Sequence, residues 1–147
     1  MKKIFVILFF LAFTVSNANA VVTIAQSLNS LLRCHIEDAG QNKYKLIISL
    51  KSDTKALPEK PILLLKFMDD TTIELTGVRT RDEIVDYGGR DMHNDDATFI
   101  ISQKQLEKIA MGITKLRINS QPKYYEKSWN DGKIGKKLYK DYQKSKF

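Results

Sequence analysis

The sequence predicts an α+β domain with a mainly antiparallel sheet of about five to six strands, one short helix and a C-terminal amphipathic helix. Three observations support this class. Apolar and polar residues alternate at 44–50 and 72–76, the period of strands with one buried face. A capping motif precedes apolar residues of helical period at 102–113. A second helical period, rich in lysine, lies near 133–146.

The segment 1–20 has the features of a bacterial secretory signal peptide. Two lysines precede an apolar run at 4–13, and residues 18–20 have the small-x-small form of a cleavage site. The run is shorter than the ~20 apolar residues needed to cross a bilayer. We therefore expect export to the periplasm or the exterior, a single domain over 21–147, and no transmembrane segment once the signal is removed.

Two pairs of strands are predicted, and a short connecting segment joins the two strands of each pair. A strand at 31–37 is joined through 38–42 to the alternating strand at 44–50. The apolar run 62–68 predicts a central strand covered on both faces, and an Asp-Asp turn leads from it to the return strand at 72–76. This part of the chain is expected to form antiparallel neighbours.

A short helix is predicted after a brief strand at 99–101. Ser102 and Gln105 have the spacing of a capping box, in which each side chain bonds the free backbone N–H of the other residue. The apolar residues that follow lie on one helical face, and Gly112 can end the helix. Another strand is expected at 116–118.

Three segments carry a resemblance to known proteins. ISQKQLEKIAMGITKLRIN, MDDTTIEL and KIGKKLYKDYQ together resemble small, largely uncharacterised secreted proteins of Bacteroidetes. The resemblance implies a compartment and a domain type. It implies no site residues and no activity.

The stretch 81–99 concentrates six carboxylates and one histidine without a helical period. We interpret it as a solvated acidic loop with a turn at its two glycines. The alternative is a small calcium-supported domain in which the loop 82–96 supplies the ligands, although the spacing is not that of an EF-hand. Its candidate metal ligands are Asp91, His93, Asp95 and Asp96. A zinc site would favour His93 and His35 together with a carboxylate, but the two histidines have no recognisable ligand spacing.

The sequence contains no catalytic motif that we recognise, so we expect a protein without enzymatic activity and without a cofactor. The single cysteine, Cys34, lies in an apolar stretch and is expected to be buried. His35 is adjacent to it, but neighbours on a strand point to opposite faces, which argues against a thiolate–imidazole pair. An enzyme with an unrecognised active site remains the alternative.

The C-terminal segment is the strongest candidate binding surface. Residues 123–147 hold eight lysines against three carboxylates, whereas 21–122 hold equal numbers of basic and acidic residues. On a helical wheel, apolar residues occupy one sector and lysines another. The partner-binding candidates are Tyr124, Tyr125, Trp129, Lys133, Lys136, Lys137, Lys140 and Lys144.

These observations predict an exported binding or accessory domain. Its partner would be an envelope or extracellular protein, a glycan or an anionic surface, because clustered lysines attract negative charge. The alternative for the lysines is a solvated face of a helix that only packs on the sheet. Nucleic acid is not expected, since the chain has an export signal and no recognisable RNA-binding motif.

Overall fold

The computed structural model describes residues 21–27, 30–120 and 123–146. The predicted signal peptide at 1–20 therefore lies outside the described residues. Within the described ranges the chain forms nine strands and two helices: β1 (Val22–Ser27), β2 (Ser30–Gly40), β3 (Lys43–Ser52), β4 (Ile62–Phe67), β5 (Thr72–Thr76), β6 (Val78–Tyr87), β7 (Arg90–Ser102), α1 (Gln103–Met111), β8 (Ile113–Asn119), β9 (Tyr124–Ser128) and α2 (Lys133–Ser145).

The strands form two antiparallel sheets. One has five strands in the order β1-β2-β3-β7-β6, and the other has four in the order β5-β4-β8-β9. The α+β class, the antiparallel pairing and the two helices are as predicted. The expectation of about five to six strands is wrong, because β1, β6 and β9 were not predicted; β6 is highly charged and shows little apolar alternation, and β1 and β9 are short.

One hydrophobic core lies between the sheets. Alternate residues of β2, β3 and β7 point into it from the five-stranded sheet, and alternate residues of β4 and β8 point into it from the other. The run 62–68 is not covered on both faces, since Ile62 and Met68 are 39% and 44% exposed. Its apolar residues alternate between the core and the outer face of the four-stranded sheet.

Both helices have the predicted limits to within a residue. The Ser102 hydroxyl accepts from the Gln105 backbone N–H at 3.1 Å, and the Gln105 side chain accepts from the Ser102 N–H at 2.9 Å, which completes the capping box. Helix α2 packs on α1 and on β2 and β8, which belong to different sheets. The C-terminal helix is thus part of the core rather than an appendage.

The acidic stretch 82–96 is not a loop. It forms the long antiparallel hairpin β6–β7, which turns at Gly88 and Gly89 with φ of +62° and +90°. The turn at the two glycines was predicted, but the strands on either side of it were not. Cross-strand pairing with β3 fixes this hairpin in the five-stranded sheet.

No helix of the described ranges is long and apolar enough to cross a membrane.

Candidate functional site

The lysines of α2 occupy the solvent side of the helix. Leu138 and Tyr142 are buried in the core, and Ile134 and Tyr139 pack partly buried against it. The lysine face, defined as Lys133, Lys136, Lys137, Lys140 and Lys144, is exposed throughout. The predicted division of the helix into an apolar and a basic sector is confirmed.

The charges of the lysine face are only partly balanced. Lys137 lies 3.4 Å from Asp141, and Lys133 lies 3.7 Å from Asp131. The side chains of Lys136, Lys140 and Lys144 make no ion pair with any residue that the structure describes. Three unpaired ammonium groups on one helix face can attract an anionic partner, and salt will screen that attraction.

The aromatic candidates are less accessible than the lysines. Tyr125 and Trp129 pack partly buried against the core, and Lys55 places its Nζ 4.1 Å from the centre of the Tyr125 ring. Tyr124 is half exposed, with the Arg117 guanidinium 4.7 Å from its ring centre. The rings of Tyr125 and Trp129 therefore contribute mainly to packing, and only Tyr124 offers much free surface.

The candidate metal ligands divide between the two faces of β7. His93 and Asp95 point to the side that faces the core, where Asp82 of β6 joins them. One ligand-capable atom of each of these three side chains lies within 4.8 Å of the other two. Sequence alone could place His93 and Asp95 on one face, since they are two residues apart, but Asp82 required the register of the hairpin.

The other two candidate ligands do not join this group. Asp96 points to the opposite face of the sheet, where its carboxylate lies 3.7 Å from the Arg81 guanidinium. Asp91 pairs with Asp86 near the turn of the hairpin. Of the four predicted metal ligands, the structure therefore brings together His93 and Asp95, and it adds Asp82.

The Asp82–His93–Asp95 cluster is strongly polar at the edge of an apolar core. Asp95 is 1% exposed, and its Oδ2 accepts a 2.8 Å hydrogen bond from the Leu57 backbone N–H. Burial raises the pKa of the Asp95 carboxyl, and the Leu57 hydrogen bond opposes part of that rise. Arg79 lies 3.3 Å from Asp82 and is anchored by donating to the Leu57 carbonyl at 2.9 Å.

Cys34 and His35 do not form a catalytic pair. Cys34 is fully buried, and desolvation raises the pKa of its thiol far above the ordinary value. The His35 ring bonds the Glu37 carboxylate at 2.9 Å on the other face of β2. The predicted burial of the thiol is confirmed, and burial makes it a poor nucleophile.

A polar cleft on the open face of the five-stranded sheet was missed by sequence reasoning. It has a volume of about 230 Å³, and its walls carry the cations of Arg33, Lys51 and Arg81 together with the carboxylate of Asp96, which lies 3.7 Å from Arg81. Lys51 donates to the Tyr87 hydroxyl at 3.1 Å, and this hydrogen bond lowers the pKa of Tyr87. The cleft can bind a small polar or anionic group, but its residues come from four strands and share no sequence motif.

Comparison of the chain with protein-family models, with curated proteins and with solved structures finds no match.

Proposed function

We propose that this protein is an exported, non-enzymatic binding domain that contacts a polyanion of the cell envelope or its surroundings through the lysine face of α2. The observation that carries the proposal is the division of this helix. One side is built into the core, and the other presents five exposed lysines, three of which have no ion-pair partner in the described part of the chain.

The anchoring of the helix supports this role. Lysines on a free, disordered segment lose conformational entropy when they meet a partner, whereas a helix docked in the core has already lost most of its backbone freedom. Each lysine near an anionic surface contributes roughly 1 kcal/mol of attraction. The partner would therefore carry closely spaced phosphate, sulfate or carboxylate groups, such as an acidic glycan or a phosphate-bearing glycolipid.

The test is binding of the purified protein to heparin and to lipopolysaccharide across a series of salt concentrations. The variant Lys136→Ala/Lys140→Ala/Lys144→Ala removes the three unpaired charges of the lysine face. We expect it to bind at least tenfold more weakly at low salt, and to lose part of the salt dependence, because fewer counterions are displaced.

A matched control separates the lysine face from net charge. The variant Lys43→Ala/Lys60→Ala/Lys104→Ala removes the same charge from three exposed lysines outside α2. It should bind within about twofold of the unmodified protein, because these lysines lie outside the proposed surface. Equal losses in the two variants would show that only net charge matters and would contradict the proposal.

The open-face cleft provides a second discriminating variant. Arg33→Ala/Lys51→Ala removes two of its cations without changing α2. Loss of binding in this variant, with binding retained in the α2 variant, would place the anion in the cleft and overturn the assignment to the lysine face.

A further inference from the structure

Two opposed carboxylates and a histidine meet on the core-facing side of the β6–β7 hairpin. The Cα of Asp95 pairs with that of Asp82 on one side and with that of Leu50 on the other. The Cα of His93 pairs with those of Ile84 and Ser52, two residue pairs nearer the turn. All three polar side chains therefore project from the same face of the sheet.

The neighbouring Arg79 guanidinium compensates this placement only in part. Like charges directly opposite each other in an antiparallel ladder repel, and Asp95 is almost completely removed from water. Arg79 approaches Oδ2 of Asp82 and leaves the other oxygen of that carboxylate available. The cluster thus holds more acceptor capacity than Arg79 alone can satisfy.

Two buried atoms of the cluster have no hydrogen-bond partner in the structure. One is Oδ1 of Asp95, whose other oxygen is bound by the Leu57 N–H. The second is Nδ1 of His93, two residues earlier on the same strand. Buried polar atoms are nearly always satisfied in folded proteins, so an unpartnered carboxylate oxygen and an unpartnered ring nitrogen on one face indicate a ligand that both can bind.

We propose that Asp82, His93 and Asp95 bind a divalent transition-metal ion of the zinc type, independently of the polyanion binding proposed above. Carboxylate oxygen and imidazole nitrogen are both zinc ligands, with bonds of about 2.0–2.2 Å. Bonds of that length place the donor atoms closer to one another than 4.8 Å, the distance within which all three atoms lie. Asp82 is half exposed, so rotation of its side chain can close the site.

The donor set selects among metals. Calcium and magnesium bind oxygen ligands almost exclusively, whereas imidazole favours zinc, copper, iron and nickel. The histidine of the cluster therefore argues against the calcium site considered from the sequence. Three protein ligands also leave a position for water or for an exogenous ligand on the exposed side of Asp82.

The test is calorimetric titration of the chelator-treated purified protein with zinc chloride, and separately with calcium chloride. The protein contains two histidines, so His35→Ala is a matched control for His93→Ala. We expect one zinc per chain in the unmodified protein and in His35→Ala, and binding at least tenfold weaker in His93→Ala and Asp82→Asn. If His93→Ala impairs folding, Asp82→Asn still tests the site, because Asp82 is half exposed and its replacement should not disturb the core.

Nuclear magnetic resonance gives a second readout, at the His93 side chain that would bind the metal. Addition of zinc should shift the ring nitrogens of His93 and leave those of His35 unchanged. A zinc response at His35 alone, binding that survives His93→Ala, or a response to calcium without one to zinc would each overturn the proposal. Absence of any one-to-one zinc binding would also overturn it, and the two unpartnered atoms would then be served by water.

Discussion

The ring of Tyr142 meets the ring of Tyr44 edge to face, with 5.8 Å between the ring centroids and 69° between the ring planes. Tyr142 lies in the last turn of α2, and Tyr44 lies near the start of β3. The contact therefore joins the C-terminal helix to the five-stranded sheet. Such pairs contribute about 0.5–1.5 kcal/mol beyond their buried area, so the position of the lysine face depends on this packing.

Removal of the Tyr142 ring should detach the end of α2. Tyr142 is 4% exposed, and truncation of a buried aromatic side chain typically costs about 3–5 kcal/mol. We expect Tyr142→Ala to lower the free energy of unfolding by about 3 kcal/mol, measured by urea denaturation. Tyr142→Phe keeps the ring and loses only a long contact of 3.4 Å with Asp38.

The Phe variant should lie within about 1 kcal/mol of the unmodified protein. A small effect of Tyr142→Ala would show that α2 is anchored elsewhere. The same measurement would weaken the view that the lysine face is held rigidly.

Gly135 allows the two helices to approach each other closely. A Cβ at this position would lie 2.5 Å from the Ile109 carbonyl oxygen and 2.7 Å from the Ile113 backbone nitrogen. Both are backbone atoms, so neither can rotate away. We expect Gly135→Ala to destabilise the protein by about 1–3 kcal/mol in urea denaturation, even though alanine favours a helix over glycine by about 1 kcal/mol.

The neighbouring change Lys136→Ala is the control, because Lys136 is exposed and should tolerate alanine within about 0.5 kcal/mol. An increase in stability on replacing Gly135 would mean that helix propensity outweighs the steric conflict and that α1 and α2 are less tightly packed.

The elements predicted best from sequence are those with local signals. The capping residues Ser102 and Gln105 lie three positions apart and satisfy each other within one turn, so the start of α1 is set by adjacent sequence. The sectors of α2 likewise follow from a single helical period, and the structure buries Leu138 and Tyr142 as expected. Burial of Cys34 follows from its apolar neighbours.

The elements missed by sequence depend on partners far along the chain. Asp82 and Asp95 read as loop residues, because carboxylates normally face water and β6 has few apolar positions. Both belong to strands that pair with each other, and β7 pairs in addition with β3. The open-face cleft could not be predicted from the sequence for the same reason, since Arg33, Lys51 and Arg81 become neighbours only when the strands pair.

The turn between β4 and β5 should make stability depend on pH. Hydrogen bonds from the side chain and backbone of Thr71 to Asp69, followed by the contact with Lys108, lower the pKa of the Asp69 carboxyl from 3.8 to about 2. The charged carboxylate therefore favours the folded state. This contribution is present above the ordinary pKa of aspartate and is lost as pH falls from about 4 to about 2.

We expect Asp69→Asn to be less stable than the unmodified protein at pH 6 and to converge with it near pH 2, measured by urea denaturation at each pH. Asp70→Asn is the matched control, because its exposed carboxylate makes only a 3.7 Å contact with Lys66. A stability difference for Asp69→Asn that stays constant across this pH range would contradict the electrostatic origin of the effect. Titration of the carboxyl by nuclear magnetic resonance measures its pKa directly.

The turn of the β6–β7 hairpin sets the register that brings Asp82 opposite Asp95. Gly88 has φ of +62°, and no atom lies within 4 Å of an added Cβ. The effect of a substitution there on stability therefore depends on backbone conformation and not on steric contacts. Asparagine adopts this left-handed conformation readily, and Asn-Gly is a favoured pair for two-residue hairpin turns. A β-branched residue in the same conformation costs about 1–2 kcal/mol.

We therefore expect Gly88→Asn to leave the free energy of unfolding within about 0.5 kcal/mol of the unmodified protein, and Gly88→Val to lower it by about 1–2 kcal/mol. Amide hydrogen exchange should accelerate in β6 and in the first half of β7 in the valine variant, because the loss is local to the hairpin. Equal stability of the two variants would show that this turn does not need a left-handed residue. The register of the acidic cluster would then be set by the pairing along β6 and β7 rather than by the turn.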